Sequence, residues 1–208
     1  MTKALKPQIR FKGFTDPWEQ RKLTDLVTFY SGLTYTPNNI ENFGTLVLRS
    51  SNVNNGEIIN ADNIYVNSKA VKTENVRVGD IIIVVRNGSK ALLGKHAQIK
   101  HQMPKTVIGA FMTGLRSECP EFINALLSTS SFKKELNVNM GATINQITGY
   151  MFSRMKFMSP KNDEQKLIGN FYKVIDSLIT LHQRKQKSEW RNRDDKYFWE
   201  GLFISQIL

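Results

Sequence analysis

Apolar and polar positions change rhythm twice along this chain. From Thr45 to about Arg116 the apolar residues come in short β-branched or aromatic runs, TLVLR, IYV, DIIIVV and TVIGAFM. Turn chemistry separates them at Asn54-Asn55-Gly56, Val78-Gly79-Asp80 and Asn87-Gly88. This predicts a curved mixed β-sheet with long polar loops. After Cys119 the period lengthens: Pro120 suits a first helical turn, and Phe122, Ile123, Leu126 and Leu127 share one helical face before the Ser/Thr cluster at 128–131. A second short helix is expected around Phe132 to Leu136. Asn137 to Gln146 reads as a loop, and Arg154 to Met158 as a returning strand ending at Ser159-Pro160, where a domain boundary is placed. Beyond it Leu167, Ile168, Phe171, Ile175, Leu178 and His182 recur at spacings of three and four, the narrow stripe of a helix that pairs with another helix. Asp163 and Glu164 suit the positive end of its dipole. From 161 to about 190 such a helix would be roughly 45 Å long. A small domain cannot cover a stripe of that length, so the helix asks for a partner, from another copy or another chain.

Composition narrows the function classes. The chain has 208 residues, 40% hydrophobic and 10% aromatic, enough for one good core and a second structural unit, which excludes disordered and fibrous classes. The apolar runs Ile81 to Val85 and Val107 to Met112 fall far short of the ~18 residues that cross a bilayer. The start MTKALKPQIR has no secretory apolar region, and a soluble, cytoplasmic protein without a membrane partner is expected. One cysteine, Cys119, and three scattered histidines, His96, His101 and His182, predict neither a disulfide nor a metal site. With 29 Lys and Arg against 18 Asp and Glu, the net charge is +11, so a polyanion is the first partner to consider. Nucleic acid leads over a membrane surface because no strongly basic amphipathic helix lies near the start.

Candidate binding residues lie where strands end in polar loops. Arg49 follows TLVL and opens the run RSSNVNN, giving Ser51, Asn52 and Asn54 as further candidates, and Arg86 and Asn87 leave IIIVV in the same way. Arginine suits guanine and asparagine or glutamine suits adenine in the major groove, so these two loops are the first candidates for base reading. Asn145 and Gln146 are candidates from a second loop cluster. Lys90, Lys95, Lys100 and Lys105 suit phosphates, where a point charge suffices. A solvated polar loop is the blander reading of each. His96 and His101 read as surface or packing residues, and Trp18, Phe11 and Phe14 around Gly13 as core anchors of an opening strand.

Catalytic apparatus is missing from this reading. An adenine methyltransferase would need an Asn/Asp-Pro-Pro-aromatic stretch, and Asp16-Pro17-Trp18 lacks the second proline. No phosphate-cradling Gly-x-x-x-x-Gly-Lys-Ser/Thr loop occurs. Asp80 has no acidic companion in the strand that follows and reads as a Gly-Asp turn rather than part of a nuclease site.

Three stretches, Pro7 to Leu26 (PQIRFKGFTDPWEQRKLTDL), Gly141 to Pro160 (GATINQITGYMFSRMKFMSP) and Asn162 to Lys185 (NDEQKLIGNFYKVIDSLITLHQRK), together resemble the DNA-specificity subunit of type I restriction-modification systems. The resemblance implies an α+β fold: a target-recognition domain at 7–159 with a curved mixed sheet and short helices, then a long C-terminal helix in 161–208 that pairs as an antiparallel coiled coil. Full-length members carry this arrangement twice and read two halves of a split site; this chain resembles one half. It implies a non-catalytic protein that directs a separate adenine methyltransferase subunit, and through it a restriction subunit, to double-stranded DNA. AdoMet and ATP would then sit on those partners, leaving this chain without a cofactor. The chain would pair with itself or with another half-subunit. After Lys185 the sequence departs from the pattern: KQKSEWRNRDDKYF interrupts the apolar stripe before the terminal segment Tyr197 to Leu208. A small nuclease or methyltransferase, an interaction protein that docks through its helix and Phe198, Trp199, Leu202, Phe203 and Ile207, and a truncated remnant are the competing readings.

Overall fold

The structure, a computed structural model, describes residues 4–140 and 145–205, with side chains as far as 186. Its strands run in chain order as β1 (Ala4–Leu5), β2 (Trp18–Lys22), β3 (Thr28–Ser31), β4 (Ile40–Glu41), β5 (Thr45–Leu48), β6 (Val53–Asn54), β7 (Glu57–Ile58), β8 (Ile64–Val66), β9 (Ile81–Val84), β10 (His96–Gln98), β11 (Thr106–Ile108), β12 (Met112–Arg116) and β13 (Lys156–Ser159). Helices α1 (Pro120–Leu127), α2 (Ser130–Met140) and α3 (Gly149–Arg154) precede β13, and α4 (Asn162–Ser205) follows it. The chain separates into two compact units, Met1–Gly169 and Asn170–Leu208.

In the first unit the expected sheet divides in two. An antiparallel sheet, in the order β10-β9-β12-β3, holds the run Ile81–Val84, every residue of which is fully buried. A mixed sheet, β11-β5-β8-β4, pairs TVI (Thr106–Ile108) in parallel with LVL (Leu46–Leu48), and IYV (Ile64–Val66) antiparallel to TLV (Thr45–Val47). TVIGAFM is therefore not one strand: it breaks at Gly109-Ala110-Phe111, with its first part in one sheet and Met112 opening β12 in the other. Two close approaches fix this junction. A Cβ on Gly32 would stand 2.0 Å from the carbonyl oxygen of Gly109, so only glycine lets the end of β3 bridge to the β11–β12 loop, where Leu33 N–H donates to Ile108 O at 2.7 Å. On β12, Gly114 lies opposite Tyr30 of β3, and the tyrosine ring occupies the space a Cβ would need.

The helices cover the antiparallel sheet. Phe122, Ile123 and Leu127 of α1 are buried, with Leu126 packed partly against the same core. Helix α2 overruns the expected segment and takes in Asn137 to Met140, the first part of the predicted loop. Phe132, Leu136 and Met140 recur every fourth residue and are all buried. Burying Leu136 and Met140, worth about 1.5–3 kcal/mol each, outweighs the helix propensity lost at Asn137, Val138 and Asn139, at most about 0.7 kcal/mol apiece. Residues 141–144 of that loop lie outside the described residues. Helix α3 is an addition to the sequence reading; Thr148 caps it, its Oγ1 accepting from Met151 N–H at 3.2 Å.

A third sheet, β1-β2-β13, is antiparallel. Phe11 is exposed and Trp18 only half-buried, so they are not the core anchors expected of them. Trp18 and Arg10 instead fasten the opening segment to the start of α4. The buried Glu164 carboxylate accepts from Arg10 Nε and Nη2, both at 2.7 Å, and from Trp18 Nε1 at 3.3 Å. The neighbouring Gln165, also buried, donates to Ser159 Oγ and Pro160 O at 3.1 and 2.9 Å. The first turns of α4, through Gly169, therefore belong to the first unit. Ile168 packs against its core rather than standing free on a pairing stripe.

In the second unit α4 continues as one helix to Ser205, past the expected end near 190. Phe171, Val174, Leu178 and Leu181 are exposed, as are Tyr172, Ile179 and His182, while Ile175 is half-exposed. The side chains of the terminal segment, Phe198 to Ile207 included, lie outside the described residues.

Candidate nucleic-acid interface

Three strand ends meet at one rim. Strand β9 runs on through Val85 into Arg86, and both backbone N–H groups donate to Phe111 O, at 3.0 and 3.2 Å, tying this exit to the β11–β12 loop. Gly109 N–H donates to Leu48 O at 2.9 Å, which brings the end of β5 and Arg49 alongside. From the far side Ile147 N–H donates to Val85 O at 2.7 Å, and Arg86 and Gln146 form an antiparallel bridge. The backbone thus gathers Arg49, Arg86, Asn145 and Gln146, residues up to 97 positions apart (146 − 49 = 97).

The side chains differ in how they are used. Arg86 is exposed; its Nε and Nη2 donate to Gln146 Oε1 at 3.2 and 2.6 Å, and its guanidinium lies 5.5 Å from the centre of the Phe111 ring. Among the described residues no carboxylate pairs with it. Arg49 is partly spent: its Nη2 donates to Asp62 O and lies 3.6 Å from Asp62 Oδ2, while its Nε and Ser51 Oγ are shut away from solvent with no hydrogen-bond partner. Asn87 is turned inward, Nδ2 donating to Ser50 Oγ at 3.2 Å and Oδ1 accepting from Ser89 N–H at 3.0 Å, which joins the 49–52 and 86–90 loops. Asn145 Nδ2 reaches Gly88 O at 3.4 Å.

Asn52 is fully buried. Its Oδ1 accepts from Arg49 N–H at 2.9 Å and its Nδ2 donates to Ala61 O and Asn63 Oδ1 at 2.6 and 3.0 Å, so it shapes the loop from within and cannot reach a ligand. Asn54 sits exposed on the β6–β7 hairpin, beside β10. Among the lysines, Lys90 opens a short 3-10 turn, Lys95 is half-buried after Gly94, Lys105 is exposed in a left-handed conformation (φ 49°), and Lys100 is engaged with Glu57.

The sequence reading passed over Phe111, Tyr35 and Asp62. With Arg49 and Ser51 they line a cleft of about 550 Å³ beside Arg86. Phe111 is 55% exposed, an unusual state for an aromatic residue between two strands. The signal for it was the Gly-Ala-Phe break in an otherwise strand-like run. Asp62, with φ 54°, holds a strained turn next to Arg49.

Asp80 has a structural task. It is buried and accepts from Tyr30 Oη (2.8 Å), Arg77 N–H (2.9 Å) and Arg116 Nε and Nη2 (2.9 and 3.2 Å), and Arg116 also pairs with Glu74 and lies over the Tyr30 ring. Burial, with Asp80 second, drives the Tyr30 hydroxyl pKa far above its usual range, so the phenol stays a donor. Among the described residues no three His, Cys, Asp or Glu side chains converge as a metal site, and no helix is long and apolar enough to cross a membrane.

Comparison with known proteins gives a consistent picture. The profile of the type I restriction modification DNA specificity domain matches residues 15–189. The chain is 27% identical over 172 residues to the StySPI specificity subunit of Salmonella potsdam, and 28% identical over 171 residues to the EcoKI specificity subunit of Escherichia coli K12. Each alignment covers 78% of this chain and 36% of the relative, so the chain spans little more than a third of their length. Among solved structures, a type I restriction-modification assembly matches 85% of this chain and 43% of its own, with a TM-score of 0.62 at 18% identity. The HsdS subunit of Thermoanaerobacter tengcongensis matches 88% of this chain and 42% of its own, at 0.58 and 16%. These two show the shared fold.

Proposed function

The chain belongs to the type I restriction-modification DNA specificity family, and from that premise we propose that it reads the sequence of double-stranded DNA and directs an adenine methyltransferase subunit, and through it a restriction subunit, to its target. On this reading it carries no chemistry of its own; AdoMet and ATP serve the partner subunits. The recognition part comprises residues 7–159 and the spacer 161–208. The observation that carries the reading is Arg86: an exposed guanidinium without a carboxylate partner among the described residues, held by Gln146 and Phe111 at a rim where three strand ends meet. Arg49, Lys90, Lys95 and Asn145 are further base or phosphate contacts beside it, whereas Asn52 and Asn87 brace the loops and the Ser51 hydroxyl is shut away from solvent.

One recognition module reads one half of a split site, so we propose that two copies, or this chain and a related half, pair through α4. Two identical copies present a two-fold surface and favour an inverted repeat. Affinity of the chain, with its methyltransferase partner, for inverted half-sites separated by varied spacers tests this. One spacer length should bind best, and neighbouring lengths about tenfold more weakly. A response independent of spacer would refute the paired arrangement, and indifference to sequence would leave docking on partner subunits as the function of the helix.

A further inference from the structure

Resting on that reading, we infer that the Arg86–Gln146 pair selects guanine at one position of the target. The argument is donor and acceptor bookkeeping. A guanidinium has five N–H donors and no acceptor, and an amide oxygen has two lone pairs. Arg86 directs Nε–H and one Nη2–H at Gln146 Oε1, which occupies both lone pairs of that oxygen. Two donors converging on one amide atom also fix the orientation of Gln146, because its NH₂ group would repel them. What the pair can still offer a ligand is therefore donors only: the Nη1 hydrogens, the second Nη2 hydrogen and the Gln146 NH₂.

A donor-only surface discriminates among bases. In the major groove guanine shows two adjacent acceptors, N7 and O6; adenine pairs its N7 with an amino donor, cytosine shows an amino donor and thymine a single acceptor beside a methyl group. Only guanine matches two donors without placing hydrogen against hydrogen. Gln146 in isolation would suit adenine, but that pairing needs the oxygen that Arg86 has taken. Gln146, a candidate DNA contact from its sequence position, thus serves to position Arg86.

The geometry also limits the alternatives for Arg86. Its Nε–Nη2 edge is closed by Gln146, Phe111 lies against the guanidinium, and the backbone on either side is tied to Phe111 O and, through Val85 O, to Ile147 N–H. A side chain held in this way loses little rotamer freedom on binding and presents its terminal fork in one direction.

The test uses the full chain and a library of random duplexes, sequenced after selection. Wild type should enrich a motif containing a guanine that Arg86→Ala loses by about tenfold in relative preference, with the other positions unchanged. Gln146→Leu should weaken preference for the same guanine and no other base, the signature of a positioning residue. In a second arm, wild-type protein binds the selected site with 7-deazaguanine, which lacks N7, at each guanine in turn; one of them should cost about tenfold, and no variant has to fold for this result. An Arg86→Ala effect at an adenine or pyrimidine position, an equal loss on all sequences as from a phosphate contact, or no penalty from 7-deazaguanine would each overturn the guanine assignment while leaving sequence reading intact. Failure of wild type to enrich any motif would instead overturn the proposed function, and this inference with it.

Discussion

His96 stands at the start of β10 with its ring engaged on both sides: Nδ1 donates to Gly94 O at 3.0 Å, and Nε2 lies 3.2 Å from Ser128 Oγ. Burial lowers its pKa below the ordinary 6.5, against the opposing pull of the Gly94 and Asn124 carbonyls. The unfolded chain therefore binds this proton more readily than the folded one, and stability is lost as pH falls through 6.5 toward the lower folded value. The melting temperature should accordingly drop between about pH 7.5 and about pH 5.5, and His96→Gln should flatten that part of the curve. An unchanged slope in the variant would assign the acid sensitivity to another group. At this scale the sequence revealed residue types and not their direction. RSSN and RNGS look alike as strings, yet the fold turns Asn52 and Asn87 inward and leaves Arg86 outside, because each asparagine is the nearest group able to satisfy its own loop's backbone.

Helix α4 presents Leu167, Phe171, Val174, Leu178 and Leu181, an alternation of four and three that matches the two apolar positions of a heptad. The spacing equally admits a neighbouring stripe through Ile168, Ile175 and His182 that shares Phe171 and Leu178, and packing takes from it only Ile168, whose side chain is used against the core of the first unit. If two such helices pair, Leu178→Asp should place a carboxylate in the seam and weaken self-association at least about tenfold, read as a shift toward monomer in sedimentation velocity. Identical sedimentation would exclude this face. Among the strands, those with contiguous apolar runs were legible. WEQRK of β2 was not, being mostly polar and exposed, with a place in its sheet set by β1 and β13. Helix α3 was hidden because its buried side, Met151 and Phe152, sits in a short segment that follows polar residues.

For the whole molecule the net charge of +11 sets how binding responds to salt. Each phosphate neutralised releases counterions, so the slope of log K against log salt counts the cationic contacts. Lys95→Ala should weaken binding to all sequences alike and reduce that slope by about 0.9, the share of one contact; a base-specific loss would move Lys95 among the readers instead. The hydrophobic period changes near Pro160, whereas the two compact units separate after Gly169, because Glu164, Gln165 and Ile168 in the first turns of α4 are tied into the first unit. That the antiparallel and mixed sheets would be joined through Gly32 and Gly109 was not legible in the sequence, since a close backbone approach leaves no trace in hydrophobic pattern.

The bond of Arg10 and Trp18 to Glu164 joins residues 154 and 146 positions apart. It turns the intervening chain into a closed ring, and the rim that holds Arg86 belongs to the arc between. If that rim reads DNA as proposed, loops on the arc can be rewritten without disturbing the buckle of the ring or the root of the helix. Under the proposed function, such a build separates what is read from what is held: the wording of the site varies on the arc while the clasp at Glu164 stays the same.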